Sequence, residues 1–236
     1  MKQQPLIKKL RAGLKADETG NKANSLIFLH HYGFNIPLTY LVTTNAHAMY
    51  LAKESSLLEN LRRELETLPE TTWAVRSSTT AEDSSEFSFA GQFQTFINVT
   101  GKEKILDAVV KVWESASMLN INEYLLKAGV SGVRCGVIIQ EMIPAELAGV
   151  SFSRNPVTNQ NETVIEAVEG AGEELVQKGI TPMRWRIWKD TVSEGNEHYR
   201  LFHVIRKVAA DTVRLMRYYG QHIDIEWVYD GNQLYY

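Results

Sequence analysis

The sequence predicts an α+β fold, on three observations. Short strands of period-two alternation, the clearest being Ile223-Asp224-Ile225-Glu226-Trp227-Val228, take turns along the chain with segments whose apolar residues recur at helical spacing. One run, Arg134 to Met142, is apolar at its centre without alternation and therefore suits a strand buried on both faces. At 236 residues and 44% hydrophobic content the chain can bury a substantial core, as one large domain or as two lobes.

Taken in order, Leu6 to Lys15 is a basic, amphipathic start, and Thr19-Gly20-Asn21-Lys22 leads into a helix over Ala23 to Tyr32 that Gly33 stops. Pro37 to Thr43 is strand-like, and Asn45 is a candidate cap for the helix after it. His47 lies on that helix as a structural or solvated histidine. Leu57, Leu61, Leu65 and Leu68 form a core stripe that Pro69 ends. Gly101 to Lys127 reads as a helix with Ile105, Val109, Val112 and Ala116 on one face and Trp113 in the core. Ala148 to Ser153, Thr163 to Val168 and Met183 to Trp188 are strands; Glu173 to Gln177 is a short helix, and Asp190 to Tyr199 reads as a polar loop. Leu201 to Tyr219 is a helix stopped by Gly220, and Asp230-Gly231 is a hairpin turn signal after the last clear strand.

The composition excludes several functions. A net charge of −3 with mixed signs leaves no basic footprint for nucleic acid. No span approaches the roughly 18 consecutive apolar residues of a membrane helix, and the N-terminus lacks the apolar core of a signal peptide. The single cysteine, Cys135, cannot form an intrachain disulfide; it reads as buried filler in a reducing compartment, with the cytoplasm as the default.

Two stretches carry chemistry. Trp73 to Val99 opens with the apolar strand Trp73-Ala74-Val75, places Arg76 at its exit, and ends in a strand where Phe93, Thr95, Ile97 and Val99 alternate with Gln94, Phe96 and Asn98. Between them, hydroxyl residues and Gly91-Gln92 supply a flexible polar loop, and an aimed guanidinium beside backbone N–H groups suits a phosphate chain. Composition alone favours a solvated loop. In the final strand, Asp224 and Glu226 are two apart and so share a face, backed by Ile223, Ile225 and Trp227. Adjacent carboxylates repel, and a bridging hard cation such as magnesium relieves that repulsion; two solvated acids on an exposed strand is the other reading.

The run A-V-R-S-S-x-x-A-E-D (residues 74–83) followed by F-A-G-Q-x-x-T-F-x-N-V (residues 89–99) resembles the nucleotide-binding domain of phosphoenolpyruvate synthase and pyruvate phosphate dikinase, a domain shared with rifampicin phosphotransferases and glucan water dikinases. The resemblance extends over nearly the whole chain. It implies an ATP-grasp fold of two lobes with a nucleotide cleft between them, residues 1–130 forming the first lobe and 131–236 the second. Lys22 and Arg76 would hold the ATP phosphates as the catalytic cations. Gly91 and Gln92 would belong to the loop that covers the phosphates, Gln140, Glu141, Met142 and Ile143 would face the adenine, and Arg154 could counter phosphate charge. Asp224 and Glu226 would hold Mg2+. The implied reaction splits ATP to AMP and phosphate and passes the middle phosphoryl group to a histidine on a separate swivelling domain, in the same polypeptide or another, with the small-molecule substrate on a further domain. None of the six histidines here lies in a glycine-rich T-S-H context. A further family glutamine ligand would fall just beyond Tyr236, so the sequence reads as a piece of a longer enzyme. The family's glycines are replaced by Asn21, Ala23 and Asn159, and its aspartate by Asn155. Two alternatives stay open: a rifampicin- or glucan-phosphorylating relative, with the same ATP chemistry and a different acceptor, or a catalytically silent nucleotide-binding or regulatory module, for which the departures at Asn21, Ala23 and Asn155 leave room.

Overall fold

The computed structural model describes residues 4–14, 16–79, 94–118, 134–170, 181–189 and 191–236. The chain divides into two compact units, Met1–Met142 and Ile143–Tyr236.

The first unit is built on a five-stranded antiparallel sheet. Its strands are β1 (Ile7–Lys9), β2 (Thr39–Val42), β3 (Trp73–Thr79), β4 (Thr95–Val99) and β5 (Cys135–Glu141), in spatial order β1-β2-β5-β3-β4. The unalternating run 135–141 is the central strand, paired with β2 on one side and β3 on the other, which is why its first five residues are buried. The sequence boundary at 130/131 places this strand in the second lobe. Its hydrogen bonds run instead to partners far upstream, beyond the reach of periodicity.

Each face of this sheet has its own helices. Helices α3 (Thr44–Leu51), α4 (Leu57–Leu65) and α5 (Lys102–Met118) supply Ala46, Met49, Leu57, Leu61, Leu65, Ile105, Val109, Val112 and Trp113 to one core, which they share with Trp73, Val75, Val137 and Ile139. On the other face, α2 (Asn21–His31) buries Ala23 and Ile27 with Leu10, Leu41 and Ile138. A short turn of helix, α1 (Ala16–Thr19), precedes it. The edge strand β1 is tied to α4, since both carboxylate oxygens of Glu64 accept from backbone, from Leu6 at 3.1 Å and from Ile7 at 2.7 Å.

Several local expectations change. The α3 cap is Thr43, whose side chain accepts from Ala46 N–H; Asn45 donates to Met49 instead. Helix α2 begins at Asn21, so Lys22 lies inside its first turn rather than before it. Strand β3 continues to Thr79 because Ser77, Ser78 and Thr79 pair with Val137, Gly136 and Cys135, and Arg76 is therefore mid-strand. The strict alternation expected of β4 is broken. Trp73 pairs with Val99 but Val75 pairs with Phe96, one residue out of step, and Asn98 takes φ 57 at this bulge. The bulge turns Phe96 onto the same core as Val99.

His47 is structural. It is buried against Trp113, and its Nδ1 accepts from Cys135 N–H at 3.3 Å. Cys135 is itself wholly buried, and its carbonyl accepts from the Trp113 indole at 3.1 Å. Burial lowers the His47 pKa from its usual 6.5. The unfolded chain therefore takes up a proton here, as pH falls through about 6.5, before the folded protein does. Stability from this site is complete above that pH and declines below it. Urea unfolding of wild type and His47→Gln at pH 7.5 and 5.5 checks this: the wild type loses more stability on acidification than the variant.

The second unit holds a six-stranded antiparallel sheet. Its strands are β6 (Leu147–Phe152), β7 (Thr163–Glu169), β8 (Met183–Trp188), β9 (Thr191–Glu194), β10 (Asp224–Tyr229) and β11 (Leu234–Tyr235), in spatial order β11-β10-β6-β7-β8-β9. Strand β9 replaces part of the loop expected over 190–199, because Val192 and Thr191 pair back onto Ile187 and Trp188. Helix α6 (Phe202–Tyr219) packs Val204, Ile205 and Val208 against Ile165, Ala167, Trp185 and Trp227. The hairpin expected at Asp230-Gly231 forms, with the Asp230 carboxylate accepting from Gln233 and Asn232 N–H at 2.7 and 2.8 Å. Gly149 has no room for a side chain, since a Cβ there would lie 2.0 Å from the Glu166 carbonyl oxygen. The helix expected at 173–177 and the tail of the helix expected to run to Lys127 lie outside the described residues.

Candidate functional site

In the first unit, Lys22 and Arg76 are brought to the same side of the sheet. Arg76 pairs with Ile138 in β5, and Ile138 lies in the core under α2, so the two residues share the face that α2 covers. Lys22 is in the first turn of α2, one residue before the wholly buried Ala23. The helix start is seated on β3. Ala23 N–H donates to Ser78 Oγ at 3.0 Å, and Gly20, at φ 83, approaches so closely that a Cβ would lie 2.0 Å from the Ser78 carbonyl oxygen. Both cations are half-buried. A helix N-terminus with a lysine in its first turn is suited to anions.

Gln140 lies in register with Ala74 and Thr39 and so shares this face; its amide donates to Thr39 Oγ1 at 3.1 Å. The next two amides are committed within the unit: Glu141 N–H donates to the Leu38 carbonyl at 2.8 Å and Met142 N–H to the Thr72 carbonyl at 2.9 Å. Neither of these two amides is left to donate to a ligand. Gly91 and Gln92 lie outside the described residues.

In the second unit, β10 divides as its alternation predicts. Ile225 and Trp227 are buried, while Asp224 and Glu226 are exposed on the face opposite α6. Glu226 stands in register with Val150 of β6, and Val150 with Glu166 of β7. Glu166 is held by Arg184, whose Nε donates at 2.9 Å. This second, neutralised acid two strands from Glu226 was not singled out in the sequence. Arg154 follows the end of β6, near the start of β10, since Ser153 N–H donates to the Ile223 carbonyl at 2.9 Å. It is half-buried, and its Nε is shielded from solvent with no hydrogen-bond partner among the described residues.

One departure from the family pattern, Asn155, has a local cause. The Asn155 side-chain oxygen accepts from Val157 and Thr158 N–H at 2.9 and 3.0 Å, and its amide donates to Glu162 at 2.7 Å. Glu162 also accepts from Arg186 at 2.9 Å. Burial opposes charge on Glu162, but hydrogen bonds from Arg186 and Asn155 outweigh it and hold its carboxyl below the usual range. An aspartate at 155 would set a second carboxylate against it. Asn159 sits at φ 59, a conformation asparagine tolerates. We expect Asn155→Asp to cost about 1–3 kcal/mol at pH 7, measured by urea unfolding, and Glu162→Gln in the same chain to restore most of it.

Antiparallel sheets, each with helices against it, are the architecture of an ATP-grasp protein. The chain belongs to the pyruvate phosphate dikinase AMP/ATP-binding domain family, whose pattern matches residues 55–203, more than half its length. It is 36% identical over 160 residues to the phosphoenolpyruvate synthase of Pyrococcus furiosus, a match covering 66% of this chain and 20% of that protein. It is 26% identical over 296 residues to the probable phosphoenolpyruvate synthase of Methanocaldococcus jannaschii, covering 93% of this chain and 25% of that one. The chain thus spans about a quarter or less of the length of these relatives. Among solved structures, PH1788 from Pyrococcus horikoshii is similar with a TM-score of 0.51 at 13% identity, over 93% of this chain and 88% of that one, a likeness of fold alone. Among the described residues no helix is long and apolar enough to cross a membrane.

Proposed function

We propose that this chain is the ATP-binding part of a cytoplasmic phosphoenolpyruvate synthase-like phosphotransferase. ATP, water and a histidine of a separate swivelling domain give AMP, orthophosphate and phosphohistidine; a small-molecule substrate on a further domain then receives the phosphoryl group. Membership of the AMP/ATP-binding family supports the nucleotide. The observation that carries the reading is the seating of the Lys22 helix start on the strand that bears Arg76, on one face of one sheet. Such transfer needs positioning and charge neutralisation more than covalent work by the protein. Lys22 and Arg76 neutralise and orient the phosphates, and Gly91 and Gln92 cover them. Gln140 to Ile143 meets the adenine. Arg154 adds a further phosphate contact, its shielded Nε being a donor with no described acceptor.

Asp224 and Glu226 fit magnesium, which takes one or two carboxylates and completes its shell with water and phosphate oxygens. The bound ion would supply charge neutralisation at the phosphates. Isothermal titration of the chain with ATP, with and without magnesium, tests the proposal. Magnesium should tighten ATP binding in the wild type and much less in Asp224→Asn/Glu226→Gln; absence of any ATP binding would overturn it.

A further inference from the structure

We propose that Ser78 is a positioning residue: it caps helix α2 from strand β3 and thereby fixes Lys22 relative to Arg76. This rests on the reading that those two cations hold the phosphates.

Helix α2 starts without a cap of its own. Its N-cap position is Gly20, at φ 83, with no side chain to offer. The third amide of a helix is ordinarily satisfied by a serine, threonine, aspartate or asparagine at the N-cap. Here that amide belongs to Ala23, and the acceptor is Ser78 Oγ at 3.0 Å, 55 positions away and wholly buried. A cap supplied by another element does more than satisfy an amide, because it also fixes where the helix begins on the sheet. Ser78 is two residues beyond Arg76, so the two share a face of β3, and Ala23 follows Lys22. One hydrogen bond thus joins the residue after the lysine to the strand that bears the arginine.

Two glycines let this contact form. Gly20 lies where a Cβ would meet the Ser78 carbonyl oxygen at 2.0 Å. Gly136, opposite Ser78 in β5, lies where a Cβ would meet the Thr19 carbonyl oxygen at 2.6 Å. The turn before α2 is pressed onto β3 and β5 at this point. Ser77 provides an internal comparison. It is as deeply buried but pairs with Val137, on the face covered by α3, α4 and α5.

The test is the affinity of the chain for ATP·Mg, measured below the unfolding temperature of every variant. Ser78→Ala should weaken binding about fivefold to tenfold, whereas Ser78→Thr, which keeps the hydroxyl, and Ser77→Ala should each stay within about twofold of wild type, a cap being worth about 1 kcal/mol. In a Lys22→Ala background, Ser78→Ala should add less than about twofold, because its effect passes through Lys22. If Ser78→Ala does not fold, Ser78→Cys, similar in shape and a weak acceptor, carries the same comparison. A Ser78→Ala chain with lowered melting temperature but unchanged ATP·Mg affinity would overturn the proposal, as would an undiminished loss in the Lys22→Ala background. Lys22→Ala binding ATP·Mg as wild type does would overturn the phosphate role of Lys22 itself, and the positioning role with it.

Discussion

Gly20→Ala will destabilise the first unit by about 3 kcal/mol and weaken ATP binding as well. Two independent costs combine. An alanine held at φ 83 and ψ 170, a region essentially reserved for glycine, costs about 1–3 kcal/mol. Its Cβ would also lie 2.0 Å from the Ser78 carbonyl oxygen, and backbone oxygen in a central sheet cannot move aside cheaply; overpacking of this kind costs about 1–3 kcal/mol. The relief available is for the start of α2 to lift from β3, which would stretch the bond from Ala23 to Ser78 and carry Lys22 with it. The urea midpoint measures the first effect and calorimetric titration with ATP the second. Gly13→Ala serves as the comparison, since that glycine has a similar φ of 87 but nothing within 4 Å of the added Cβ. Equal losses in the two variants would show that the close approach to Ser78 contributes nothing.

Arg76→Ala will weaken ATP binding by about 1.5–3 kcal/mol, the range for a hydrogen bond to a charged group, or roughly 10- to 150-fold. The guanidinium sits on the middle of a strand paired on both sides, by Ile138 and by Thr95, so its backbone is held in the free protein and little ordering is needed on binding. Arg76→Lys should recover only part of the loss, because a lysine offers a point charge where arginine offers a planar fork. Urea unfolding of the same variants separates loss of the contact from loss of the fold.

Much of this organisation was legible in the sequence. The alternation of β10 gave both its buried and its acidic face, since a period of two needs only local residues. The leucine stripe of α4 and the buried run of β5 were readable for the same reason. What escaped depended on distant partners. Ser78 as the cap of α2 acts across 55 positions, and only its spacing of two from Arg76 hinted at a shared face. The bulge at Asn98 arises from pairing against β3, and the partners of β5, which decide the unit it belongs to, lie upstream in β2 and β3. The reason for Asn155 in place of the family's aspartate lies in Glu162, which accepts from its amide and whose proximity no local pattern shows.

On the proposed reading, Lys22 and Arg76 grip phosphate. Titration of the wild type, Lys22→Ala and Arg76→Ala with ATP and with adenosine tests it most directly. Each variant should lose ATP affinity at least about tenfold while adenosine affinity stays within about twofold. Equal losses for both ligands, or no loss for ATP, would contradict it.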